Sequence, residues 1–453
     1  MTFAERINGL REKDGAAPFI CRTVLIVLLI GIVVRLAVGF LMTHVYDMQH
    51  WGVVMQNINS GNGLYEITGF FYTPVWGYLM GVAALFQDMI GVGLVGERVT
   101  ELFMMEDIAW YYTATVTTPA FNMAMKLLFL ISDLIVGYLL FWIIRDFTND
   151  HRKAVMGFTL WFLCPFVIIS GSVIGMFDTI SVMMLLLSVI MLRKGRYAES
   201  GVMLCLATLL KFFPGFLVFV FLAYIISKHR REGSRKEVAS FIISIAVTAL
   251  IIFIPQLLDG TFADCFLFIT SRLSSGTGAE ALGVVSGYAA LLIYILALTV
   301  SIYCAIRISR YDGENLDMEL MDTALIIVTV LFLFPPLPQY VLLLLPFLLF
   351  AMAFDKRYVT PCILLFIGTT ISAIAGGPTD LVSIAVFTDL LPLEPLIGII
   401  EGYTAPVFGG SPLILVGYLG SAIQYAGILF VLWVRFGNRI KAARAERKAA
   451  RTQ

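Results

Sequence analysis

The feature that most restricts this chain is a near-continuous succession of apolar stretches of bilayer length. Crossing roughly 30 Å of hydrocarbon takes about twenty residues of helix. Stretches of that kind, or slightly shorter, lie near 22–43, 122–144, 154–175, 178–193, 237–257, 283–306, 320–335, 340–354, 358–375 and 412–434. Of the 453 residues 59% are apolar and only 14% charged, with a mean hydropathy of +0.91. Soluble domains carry about 25% charged residues. The expectation is an all-α polytopic membrane protein with about twelve transmembrane or re-entrant helices. A net charge of zero gives no reason to expect a nucleic-acid partner. The six cysteines lie mostly in or beside apolar spans without CxxC spacing, so they read as small apolar residues.

Residues 199–227 form a special case. Basic clusters flank them on both sides, Arg193-Lys194-Gly195-Arg196 before and Lys228 through Lys236 after. Both ends therefore belong on one side of the membrane, yet the stretch is too short for two full crossings. Lys211-Phe212-Phe213-Pro214 supplies a break, because proline removes a helix hydrogen bond and disfavours helix at the residue before it. The sequence predicts two short or re-entrant helices here.

Basic residues collect at the N-terminus, at 145–153, 193–196 and 228–236, at Arg307 and Arg310, at Lys356 and Arg357, and in the tail from Arg435. All fall on one side if the segments alternate, and the positive-inside rule makes that side cytoplasmic. Both termini are then cytoplasmic. Asp47, Glu66, Asp88, Glu97, Glu101, Glu106, Asp107, Asp178, Asp264, Glu280, Asp380, Asp389, Glu394 and Glu401 fall outside, with Arg98 and Arg272. The long loop 44–121 is extracytoplasmic, and its apolar piece 75–92 reads as interfacial. The basic run from Arg439 to Lys448 reads as an orientation signal or a helix on the anionic leaflet.

The chemistry concentrates at the head of that loop, His44-Val45-Tyr46-Asp47-Met48-Gln49-His50-Trp51, followed by Tyr65 and by Tyr72-Thr73-Pro74. There is no P-loop, no GxGxxG after a strand and no globular domain to bind a nucleotide. An activated substrate must then arrive dissolved in the bilayer. A lipid-phosphate sugar meets that need: its phosphate leaves without a strong acid, and one carboxylate acting as base on an acceptor hydroxyl suffices. Asp47 suits that role, and the competing reading is an Asp that ends the first helix. His44, Asp47 and His50 recur every three residues as metal ligands might, but hydrogen-bonding or interfacial roles are the better account, and no metal or other cofactor is expected.

Arg35, Asp133 and Lys211 lie within apolar segments, where an ionisable group is costly unless paired or hydrated. Arg35 and Asp133 are expected to pair and hold the first two helices together. Lys211, at a break that must line a protein cavity, is suited to a lipid phosphate or to a structural pair. Asp178 either serves the site or caps the helix after it. Trp51, Tyr65, Tyr72 and Trp76 either stack on sugar or belong to the interfacial aromatic belt.

The chain resembles the GT-C superfamily of polyprenyl-phosphate-sugar-dependent glycosyltransferases, which includes the glucosyltransferases of the dolichol-linked oligosaccharide and the first mannosyltransferase of the GPI glycan. The resemblance rests on Asp47-Met-Gln-His50-Trp51 with Tyr72-Thr-Pro74, on Gly175-Met-Phe-Asp178-Thr-Ile-Ser181, on Arg196 through Lys211-Phe-Phe-Pro214, and on Pro338-Gln339-Tyr340. It implies a single integral-membrane domain over 1–453. A catalytic module spans 22–350 and includes loop 44–121, and 351–453 add C-terminal helices and the basic tail. It implies Asp47 as general base, with His50, Trp51, Tyr72, Asp178, Lys211, Gln339 and Tyr340 binding donor and acceptor. The partners implied are membrane lipids, a polyprenyl-phosphate sugar donor and a lipid-linked glycan or glycolipid acceptor. The implied reaction is inverting transfer of a hexose, mannose before glucose, on the extracytoplasmic face of a cell membrane or endoplasmic reticulum. Two departures stand out: Gln49 replaces a second acid that some relatives carry, and Pro335-Pro336-Leu337-Pro338 replaces a histidine found in others. The second polar catalytic group therefore stays open.

A transporter or lipid flippase also explains buried charge and a broken helix, but such folds show matched breaks in two halves, and only the break near 211 is evident. A non-catalytic scaffold would leave Asp47 replaceable.

Overall fold

The computed structural model describes residues 19–66, 70, 72–93, 98–100, 114–230, 233–266, 280–333, 338–375, 378–388, 390–392, 394–396 and 412–452. Glu97, Glu101, Glu106, Asp107, Arg272, Asp389, Glu401, Pro335 to Leu337 and the N-terminal basic residues Arg6, Arg11 and Lys13 lie outside them.

Among the described residues six helical segments are long and apolar enough to cross a bilayer: Arg22–Leu41, Pro119–Thr148, Arg235–Asp259, Leu291–Ser309, Lys356–Ala375 and Leu415–Gly437. A seventh is bent by 48° between His151–Phe162 and Pro165–Ile174. This is a multi-pass membrane protein. Shorter apolar helices cover Tyr197–Leu210, Phe213–Lys228 and Leu345–Phe354.

In chain order we label α1 (Arg22–Leu41), α2 (Val45–Asn59), α3 (Pro74–Met89), α4 (Pro119–Thr148), α5 (His151–Phe162), α6 (Pro165–Ile168), α7 (Asp178–Arg193), α8 (Tyr197–Leu210), α9 (Val218–Lys228) and α10 (Arg235–Asp259). They are followed by α11 (Glu280–Ser309), α12 (Leu316–Leu331), α13 (Leu345–Phe354), α14 (Val359–Ala375), α15 (Val382–Phe387) and α16 (Pro412–Thr452). Among the described residues one antiparallel ribbon, β1 (Arg98–Thr100) with β2 (Ala114–Val116), departs from an otherwise helical fold.

The long first loop, expected to contain interfacial helices, does begin with two helices. Asp47 lies in the first turn of α2, and the 75–92 piece is α3. The predicted break is present: α8 ends at Leu210, Lys211 is extended (φ −144°, ψ 122°), and a 3-10 turn over Phe213–Leu217 leads into α9. Its outer ends meet, since the Tyr197 hydroxyl lies 2.6 Å from His229 Nε2 and Lys228 Nζ donates to the Arg193 carbonyl at 2.7 Å.

The basic connections gather at the same end of the bundle. Arg193 pairs with Asp146 (2.6 Å) and Asp317 (2.9 Å), Arg230 with Asp312, and Arg307 with Glu319. At mid-bundle the expected pair forms: Arg35 Nε donates to Asp133 Oδ2 at 3.0 Å with both side chains fully buried. Arg35 also donates to the Phe162 carbonyl at 2.7 Å and lies over the Phe162 ring, so one guanidinium ties α1, α4 and α5 together. α14 and α16 approach through small residues. A Cβ at Gly368 would meet the Gln424 nitrogen at 2.4 Å, which only glycine permits.

Candidate active site

Asp47 is positioned by backbone bonds on both sides of a short extended link. α1 ends at Leu41, and buried Lys126 donates to the Gly39 (3.2 Å) and Met42 (2.7 Å) carbonyls, satisfying acceptors that the helix end leaves open. The Thr43 N–H donates to the Asp380 carbonyl and the His44 N–H to the Val173 carbonyl, each at 3.1 Å. α2 then starts with Asp47 in its first turn, where the helix dipole favours an anion. Val45, Met48 and Trp51 on the buried face hold α2 down, and the Trp51 indole donates to the Gly175 carbonyl at 3.2 Å. Gly175 sits at the end of the π-helical turn Ile169–Ile174 with φ +77°, and a Cβ there would meet Met48 Sδ at 2.6 Å. This position requires glycine.

The Asp47 carboxylate, 26% exposed, lies 3.6 Å from His44 Nε2, and His44 Nδ1 is 2.7 Å from Asp380 Oδ1. One imidazole thus bridges two carboxylates. Burial opposes its protonation, but the hydrogen bond to Asp380 and the charge of Asp47 outweigh it, and the pKa rises to about 9. His44 is therefore an imidazolium at neutral pH. Asp47 is pushed above the usual carboxylate value by burial, against the pull of His44 and Lys211 and with the push of Asp380 and Asp178.

Lys211 is presented by the broken helix. The carbonyls freed at the end of α8 find partners: Ser181 donates to Ala207 at 2.9 Å and Thr73 donates to Leu209. Lys211 Nζ lies 3.3 Å from Asp178 Oδ2, both side chains being about 5% exposed. It also sits 4.4, 5.2 and 5.4 Å from the rings of Phe177, Tyr340 and Tyr72, a cation held in an aromatic cage. Burial pushes the Tyr72 phenol up to about 12 despite Lys211 beside it, and the charges of Asp47 and Asp178 reach it too. Asp47, Tyr72, Asp178, Lys211 and Tyr340 therefore share one electrostatic neighbourhood, drawn from six stretches of sequence if His44 and Asp380 are counted with them.

The remaining expected residues lie around it. Trp51 is buried, edge-on to Trp76 and Phe177, while Trp76 stacks on Phe177 at 4.3 Å. These three form a wall behind Tyr72. The Tyr65 hydroxyl donates to the Tyr72 carbonyl at 2.8 Å and so fixes that residue's backbone. His50 is half-buried with its ring 5.3 Å from that of Trp51. Gln339 opens the 3-10 turn Pro338–Leu343 that delivers Tyr340. Among the described residues no three His, Cys, Asp or Glu side chains are arranged to hold a metal ion.

Two residues escape sequence reasoning. His44 is visible only as part of an i, i+3 pattern, and its true second partner Asp380 lies 336 positions away, in the C-terminal helices beyond the 22–350 module. The Pro378–Leu381 turn carries no spacing signal that would link it to the first loop.

Residues 111–336 match the model of glycosyltransferase family 87. The chain is a glycosyltransferase. The match takes in Asp133, Asp178 and Lys211 and ends short of Asp47 on one side and of Gln339, Tyr340 and Asp380 on the other. No curated protein matches the chain.

Proposed function

We propose that the glycosyltransferase moves a hexose, mannose in the first instance, from a polyprenyl-phosphate donor to a lipid-linked glycan or glycolipid on the extracytoplasmic face, with inversion and with Asp47 as general base. The observation that carries this reading is the placement of one partly exposed carboxylate and one caged ammonium within electrostatic reach of each other. Asp47 takes the proton of an acceptor hydroxyl as its oxygen bonds to C1 of the sugar. The bond from C1 to the phosphate oxygen breaks, and the phosphate leaves as an anion toward Lys211. A raised Asp47 pKa makes the carboxylate a stronger base, and charge set in place before reaction lowers the barrier without reorganisation.

Asp178 holds Lys211 in the resting state, and an arriving phosphate replaces or shares that partner. His44, fixed by Asp380, keeps an imidazolium against Asp47 and orients it. Tyr72 and Tyr340 face the space between, suited to a sugar ring, with Trp51 behind them and His50 and Gln339 at the edge. The gathering of basic connections at the opposite end supports a cytoplasmic assignment for that end and for both termini. The full set of about twelve membrane segments then includes the short pair α8 and α9 and the 16-residue α7.

The test is transfer from synthetic polyprenyl-phosphate mannose and glucose in detergent, wild type beside Asp47→Asn. Transfer from the mannose donor that vanishes with the substitution supports the reading. Undiminished activity in Asp47→Asn removes Asp47 as base, and use of a nucleotide sugar instead removes the lipid donor.

A further inference from the structure

At the basic end of the bundle two cavities join into one groove that the transfer chemistry does not use. The first, about 700 Å³, is lined by Arg193, Lys194, Arg196, Lys228 and Lys236 against Glu199 and Glu237, with Tyr197 and His229 beside them. The second, about 610 Å³, is almost wholly apolar, with Val202, Ile243, Val247, Ile251 and Ile252 along its walls. Ala198 and Ser240 line both cavities, so the basic chamber and the apolar channel between α8 and α10 adjoin.

Five observations bear on what fits. Arg193 spends Nη2 and Nε on Asp146 and Asp317, while its buried Nη1 has no partner. Lys228 Nζ uses two donors, on the Arg193 carbonyl and the Tyr224 hydroxyl. Both helices begin at the chamber; in α8 the Glu199 carboxylate takes its own amide, while Ser234 before α10 makes no side-chain cap, which leaves first-turn amides of α10 as donors. Glu199 is neutralised by Arg196 at 2.8 Å, and Glu237, whose buried Oε2 has no hydrogen-bond partner, is the one carboxylate there that opposes an anion among the described contacts, against Lys194, Lys228 and Lys236. From Ser240 to Ile252 the channel follows α10 for about 18 Å at 1.5 Å per residue, close to half of the roughly 30 Å hydrocarbon thickness.

We propose that this groove binds an anionic glycerophospholipid from the adjacent leaflet, its phosphate in the basic chamber and one acyl chain along α8 and α10. The channel matches one leaflet in length, which suits an acyl chain better than a polyprenyl tail. A basic pocket between membrane helices is the usual setting for such a headgroup.

Native mass spectrometry of the full-length protein in detergent, titrated with palmitoyl-oleoyl phosphatidylglycerol or phosphatidylcholine, tests this. Phosphatidylglycerol should bind preferentially, and Arg196→Gln with Lys236→Gln should weaken it about 30-fold, at about fivefold per cation removed. Ser240→Trp, which plugs the junction, should abolish retention while the melting temperature holds. Should that variant unfold, Val247→Trp on the lipid-exposed side of the channel replaces it. Equal binding of the two lipids, or unchanged binding by the variants, overturns the proposal. Glycerol phosphate binding as tightly as the lipid overturns it too, since the site would then take a free phosphate.

Discussion

Two buried ion pairs divide this molecule into a scaffold and a workplace. Arg35–Asp133 is sealed, and the guanidinium is committed to Asp133, to two carbonyls and to an aromatic face. Lys211–Asp178 is longer at 3.3 Å, sits at a break in the backbone and is ringed by aromatics beside a partly exposed carboxylate. The first pair is closed off within the fold, with Arg35 Nη2 buried and reaching no acceptor. The second keeps a compact ammonium that a substrate anion can share, as suits a lysine rather than an arginine. A buried charge thus signals a site when its backbone is irregular and a partly exposed carboxylate lies beside it, and signals architecture when it is sealed between regular helices.

The sharpest way to break this division is Asp47→Asn, expected to cut transfer by about 10²–10⁴-fold with no loss of thermal stability, as read by initial rates and melting in detergent. Asp133→Asn should do the reverse. Leaving Arg35 uncompensated costs about 3–5 kcal/mol of stability, seen as early unfolding, while turnover per folded molecule stays near wild type. Lys211→Met should lower the transfer rate by about 10²–10³-fold, with the loss falling on the donor phosphate and not on the acceptor. A variant that merely unfolds would place Lys211 with the scaffold after all.

His44 sharpens the comparison through pH. Its pKa rises from 6.5 to about 9 in the folded protein, so the fold holds that proton more tightly than the unfolded chain does. The resulting stabilisation is complete below about 6.5 and is lost as pH climbs through about 9. Melting in detergent should fall over that window, and His44→Gln should flatten the curve. Activity should fall on the acid side at a pH above the ordinary aspartate value, because Asp47 is raised. The smallest effect is Trp51→Phe, which keeps the wall and loses the bond to Gly175, for about 0.5–1.5 kcal/mol.

Much of the scaffold was legible because hydrocarbon imposes a length. The 178–193 segment, the break before Pro214 and the Arg35–Asp133 pair each follow from a local rule about apolar runs, proline or unpaired charge. The workplace was half legible. Asp47, Asp178 and Lys211 stand out as polar residues in apolar surroundings, and the structure brings them into one neighbourhood. The extended link after α1 and the helix α2 were hidden because Asp47, Gln49, His50, Gln56, Asn57 and Asn59 interrupt the apolar pattern by which a helix is read. Trp51 reads from sequence as either a sugar platform or an interfacial aromatic; that its ring packs on Trp76 and Phe177 and its N–H reaches a carbonyl is visible only in the tertiary contacts. Asp380 had no local mark at all.

The π-helical turn before Gly175 has one more consequence. The segment bearing Asp47 is moored to the carbonyls of Val173 and Gly175, groups that every residue type carries. Ser170, Ser172 and Val173 are themselves buried, so packing adds to the backbone anchorage. A single added methyl at 175 would press into Met48 and dislodge it, so the least chemically adorned residue of the neighbourhood should be among its most intolerant of change.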